Sequence, residues 1–209
     1  MTDAERRDPT REAPAPVEPG IADPAPIGLA GFALTTFVLS VVNAGFVPEE
    51  VAKVFIPLAF VYGGLAQILA GMWEIRNKNV FGALAFTSFG AFWIALGLLD
   101  YFAPSLGMTD ETRGTMLGLT LLAWAIFTAI MWLASWGVNV AIGVLFTLLL
   151  ATLVLLTIGE FTGNKFFIHI GGYVGIATAA VAWYTTAAIL VNNTYGRAIL
   201  PVGSAVGVS

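Results

Sequence analysis

From residue 114 through residue 159 the chain carries no Asp, Glu, Lys, Arg or His. A stretch that long without a charge is enough for two passes through a hydrocarbon core, each needing about 20 apolar residues. A break at Gly137 divides it into predicted spans over 115–136 and 138–159. Four more apolar runs, 27–46, 54–74, 80–101 and 166–191, match that length. With 58% hydrophobic residues, mean hydropathy +0.86 and 11% charged residues over 209 positions, the chain reads as an all-α integral membrane protein of six transmembrane helices.

Composition removes several kinds of chemistry. There is no cysteine, so disulfides, thiolate metal sites and cysteine nucleophiles are excluded. No lysine lies deep in a span to carry a retinal Schiff base, and the single His169 cannot make a bis-histidine haem site. No cofactor is expected. No nucleophile–base pair or metal cluster can be assembled inside the spans, so the chain does not read as an enzyme. The net charge of −4 comes from acids in the N-terminal segment and the loops. No basic stripe points to nucleic acid, and the expected surroundings are the lipid bilayer.

Residues 1–26 hold six of the ten prolines and many charges, too polar to pack, and read as a disordered cytoplasmic tail. Pro24 and Pro26 suit a helix start, with Asp23 placed to cap it. Residues 27–191 form the predicted six-helix transmembrane domain and 192–209 a short cytoplasmic tail. An even number of spans puts both termini on one side. That side holds Arg6, Arg7, Arg11, Arg76, Lys78 and Arg197; the other holds Lys53, Arg113 and Lys165. The excess of basic residues places both termini in the cytoplasm.

Inside the spans, uncharged polarity remains. Gly63, Gln67 and Gly71 follow at i, i+4 and i+8, which in a regular helix sets an amide between two small residues. Glycines at that period suit close helix packing in lipid. Gln67 needs more, because an unpaired amide in an apolar helix costs roughly 2–7 kcal/mol. Its partner is either another helix or a polar solute. Thr35, Thr36, Asn43 and Tyr62 are further polar candidates, while most threonines are expected to bond their own i−4 carbonyls. Glu74, Asp100 and Glu160 fall at span ends, where water can reach them, so no carboxylate reads as lying at midplane. Phe32, Phe89 and Leu149 could form a narrow apolar gate. Composition reaches a small-solute pathway and does not name the solute.

Motifs extend the reading. DPAPIGLAGFALTTF with the following NAG resembles the N-terminal signature of the acetate uptake transporter family, usually begun Asn-Pro-Ala-Pro-Leu-Gly. YGGLAQILAGMWE, NVFGALAFTSFGAFW, HIGGYVG and GRAILPVG resemble its later blocks, in order, over residues 23–203. The resemblance implies six helices around one pathway per subunit, a homohexamer, and uptake of acetate, sometimes succinate or other short acids, with protons. Yeast relatives linked to ammonium export supply the alternative, a passive channel or exporter for ammonia or another small neutral solute. By position, Phe32, Phe89 and Leu149 resemble the family's constriction, and Leu149 and Ala182 match positions expected to affect acid size. Gln67, Tyr62, Asn43, Thr35 and Thr36 match polar positions near the path, and Glu74 ends the second block. Three positions depart from the pattern: Asp23 at the entrance replaces the usual Asn, Phe89 stands where many members have Tyr, and Val42 where some have His.

Overall fold

The computed structural model describes residues 20–206, and the expected disorder of the tail falls mostly on residues outside that range. Six helices are long and apolar enough to cross a membrane: α1 (Ala25–Asn43), α2 (Glu50–Arg76), α3 (Val80–Phe102), α4 (Asp110–Ser135), α5 (Val140–Thr162) and α6 (Lys165–Tyr195). Side chains at their starts satisfy amides that a helix leaves open. Asn79, Thr109, Asn139 and Asn164 accept from Gly82, Thr112, Ile142 and Phe166. Asp23 accepts from the Ala25 amide at 2.9 Å. Thr109 also explains why α4 begins at Asp110, a turn earlier than hydropathy alone predicts.

Each helix packs mainly on its neighbours in sequence, and α6 returns to α1, so the six form a ring. The α3–α4 seam is the thinnest in backbone approach. Aromatic side chains bridge it: Phe89 meets Trp124 at 5.6 Å and Phe127 at 5.7 Å, and Phe92 meets Trp124 at 5.1 Å. The Asp100–Arg113 ion pair ties the same seam at its end. Across the α1–α6 seam Gly172 faces backbone at Asn43 and Ala44, and Gly175 faces the Ser40 side chain.

α2 is not one regular helix. It begins inside a 3-10 stretch, Glu49–Val54, carries Pro57 in its first α-helical turns, and passes through a π-helical turn, Val61–Ala66, just before Gln67. The wide turn corrects the idea of one small face around Gln67. Gly63 meets Thr35 on α1 and Gly71 meets Thr87 on α3, so the two glycines serve different neighbours. π turns of this kind cluster at functional positions.

The chain after α6 does not hang free. Gly196, at φ +63, ends the helix, and the Asn192 side chain accepts from the Ile199 and Leu200 amides while donating to the Leu200 carbonyl. The following residues lie along the α4–α5 turn: the Ala141 amide donates to Val202, and the Val206 amide to Trp136.

Candidate functional site

The ring encloses a cavity of about 280 Å³. It reaches the surface at the end where α1 begins and α6 finishes, beside exposed Asp23, Asn79 and Val138. It closes among Phe32, Phe89, Leu149 and Gln67, all buried. α1, α2, α3, α5 and α6 supply its walls, and α4 stands behind them.

Phe32, Phe89 and Leu149, from three helices, therefore meet at one place. Phe32 and Phe89 pack edge to face with centroids 5.8 Å apart, and Phe146 meets Phe89 in the same manner at 6.1 Å. With Trp124 and Phe127 behind it, Phe89 is held by rings from α1, α4 and α5. Edge-to-face pairs of this kind each add about 0.5–1.5 kcal/mol beyond burial. The closed end is thus stiff.

Along one wall, α2 presents two polar groups. Gln67 at the closed end is 1% exposed, and its Oε1 has no hydrogen-bond partner. Glu74, seven residues on and about 10 Å nearer the opening along the helix axis, is also 1% exposed. This corrects the expectation that water or headgroups reach Glu74 at its span end. The helix that follows covers it: Glu74 Oε2 accepts from Asn79 Nδ2 at 3.0 Å, and Asn79 Oδ1 accepts from the Gly82 amide at 3.1 Å. Gly82 lets the two helices close over the carboxyl, since a Cβ would lie 2.8 Å from the Glu74 carboxyl and 2.6 Å from Asn79 Nδ2 and push those side chains aside. Oε1 of Glu74 is left without a partner. Two buried oxygens with nothing to bind, on the wall of one cavity, are what a site for a polar solute presents.

Other predicted site residues lie elsewhere. Thr35 is buried at the α1–α2 contact and donates to the Gly31 carbonyl at 2.9 Å, as most span threonines do to their own i−4 carbonyls. Thr36 is buried with its hydroxyl unpartnered, but does not line the cavity. Half-buried Tyr62 lies in the π turn, and half-buried Asn43 ends α1 at the far side of the molecule. Ala182 is fully buried in the helix packing and is not part of the cavity wall. Sequence reasoning overlooked Asn79, Asn139 and Phe146, which do line it. The two asparagines announce themselves only as helix caps, and Phe146 only as one more apolar residue.

Residues 7–204 match the family model described as the GPR1/FUN34/yaaH family. The chain belongs to that family. It is similar to the succinate-acetate/proton symporter SatP of Escherichia coli K12, 36% identical over 88% of this chain and 96% of that protein. The ammonia transport outward protein 2 of Saccharomyces cerevisiae is 42% identical over 82% of this chain, which spans 62% of the yeast protein's length. A solved structure of the bacterial acetate channel SatP superposes with a TM-score of 0.81, at 36% identity, over 88% of this chain and all of that one. Like its GPR1/FUN34/yaaH relatives, this is a multi-pass membrane protein with six spanning helices.

Proposed function

We propose that the protein takes up acetate, and to a lesser extent larger short acids such as succinate, across the cytoplasmic (inner) membrane together with protons. The observation that carries this reading is the ring-enclosed cavity, with one oxygen each of Gln67 and Glu74 unpartnered on its wall and the Phe32–Phe89–Leu149 cluster closing it. The resemblance to SatP in sequence and fold supports it. An anion entering against a negative-inside potential of 100 mV meets about 2.3 kcal/mol per charge. One accompanying proton cancels that cost. The protein acts as a carrier or channel and not as an enzyme, in a homohexamer, with both termini cytoplasmic. The cavity then opens toward the cytoplasm, with Asp23 at its entrance and the aromatic cluster as the constriction.

The test is uptake of labelled acetate into proteoliposomes with and without an imposed pH gradient. Acid-outside conditions should raise accumulation well above the protein-free control. Uptake indifferent to both gradient and potential would instead favour a passive route for a neutral solute such as ammonia, the cargo named for the yeast relative.

Size selection divides the two candidate residues. Leu149 lines the closed end, so Leu149→Ala widens it without adding charge and should raise the succinate-to-acetate transport ratio several-fold. Ala182 acts only through packing. Ala182→Val should lower transport of both acids alike, because an overfilled interior costs about 1–3 kcal/mol. Competition uptake, normalised to folded protein, decides. An unchanged ratio in Leu149→Ala would remove that residue from selectivity.

A further inference from the structure

Among the described residues, Glu74 is the one charged side chain in the buried set. Stability gives no reason for a carboxylate there. It sits in the last turns of α2, where the helix dipole disfavours negative charge. A glutamine of the same shape would accept from Asn79 equally well. No cation lines the cavity: toward its opening the wall consists of Asn79 and Gly82 at the start of α3, Val138 and Asn139 before α5, and Ile189 from α6. Asp23, exposed at the start of α1, is the other charged group in the wall. Arg76, at the end of α2, and Lys78, on the link, are exposed and take no part in it. An ionised Glu74 would therefore repel an anion in the cavity that it lines.

We propose that Glu74 is the proton-coupling group of this transporter, its free Oε1 sharing one proton with the cargo carboxylate inside the cavity. The proposal rests on the reading of the cargo as a short carboxylic acid. Two carboxylates in one apolar site cannot both ionise, so the pair holds one proton between them. In the uptake direction, neutral acid passes the constriction and its O–H hydrogen-bonds Glu74 Oε1. The acid's O–H bond breaks as Glu74's forms, the carboxylate anion leaves through the open end, and Glu74 releases the proton to water. One acid anion and one proton arrive per cycle. The proton crosses the constriction on the acid, and Glu74 takes it over inside the cavity.

Binding of sodium acetate to the purified full-length protein, measured by calorimetry from mildly acidic to alkaline pH, tests this. In the wild type the acetate Kd should rise about tenfold per pH unit on the alkaline side, the slope of one linked proton. Glu74→Gln should bind acetate with no such slope, while Asp23→Asn should keep it. A wild-type slope that survives in Glu74→Gln overturns the proposal, because the linked proton then does not rest on Glu74. So does wild-type binding that shows no slope. Infrared difference spectra of the wild type with isotope-labelled acetate provide a check that needs no variant: a carboxylic-acid band from the protein should appear on binding, and its absence overturns the proposal. No acetate binding by the wild type at any pH would instead sink the reading of the cargo.

Discussion

Gln67→Leu protein should fold, melt no lower than wild type, and still move acetate at only about a tenth to a hundredth of the wild-type rate. The rate term comes from losing a hydrogen bond to a charged or strongly polar cargo, about 1.5–3 kcal/mol. The stability term has the opposite sign. Gln67 Oε1 is buried with no partner, so replacing the amide by an apolar side chain of similar volume removes a desolvated group and breaks no bond to that oxygen. A purely structural role for Gln67 predicts the reverse pairing, a lower Tm with normal transport per folded molecule. Uptake normalised to folded protein, beside thermal unfolding in detergent, separates the two. Wild-type uptake by a normally stable Gln67→Leu protein would show that the cargo never touches the amide.

Gly172→Ala should be the most damaging of the methyl-sized changes considered. The added Cβ would meet backbone on α1: the Ala44 amide nitrogen, and the Asn43 carbonyl carbon at 2.6 Å. Side chains can rotate away from an intruder, but backbone atoms in a helix can move only with the helix. The cost belongs at the top of the range for overfilled interiors, about 3 kcal/mol. For a chain of this length that lowers Tm by roughly 6–12 °C. A Gly172→Ala protein with the wild-type Tm would mean that α1 and α6 do not approach as closely as described.

Every span is readable from the chain, because the hydrocarbon core demands long apolar runs and the links between them are polar and short. The ends are less readable, since caps such as Thr109 and Asn139 shift helix starts by two to five residues without altering hydropathy. The candidate site is legible in part. Gln67 stands out as an amide among apolar neighbours, wherever it points. Glu74 misleads, because its burial is made by Asn79 and Gly82 on the next helix and not by its own surroundings in sequence. Asn43 and Tyr62 mislead the other way. A polar residue in a span looks the same on paper whether it faces a cavity or a helix end. The π turn in α2 is invisible to periodicity, and it is what separates Gly63 and Gly71 onto different neighbours.

The ring of neighbours has a consequence for how the molecule is made. Most helices leaving the ribosome find their packing partner already in the membrane, since it was synthesised just before. α1 is the exception at its second face. Its glycine-lined contact is with α6, the last helix to emerge, so α1 must wait through the synthesis of four intervening spans with that face uncovered. Until then the chain is an open arc, and its cavity is a groove. Closure is a single late event at the α1–α6 seam, and quality control has one moment at which a defective copy differs most from a finished one.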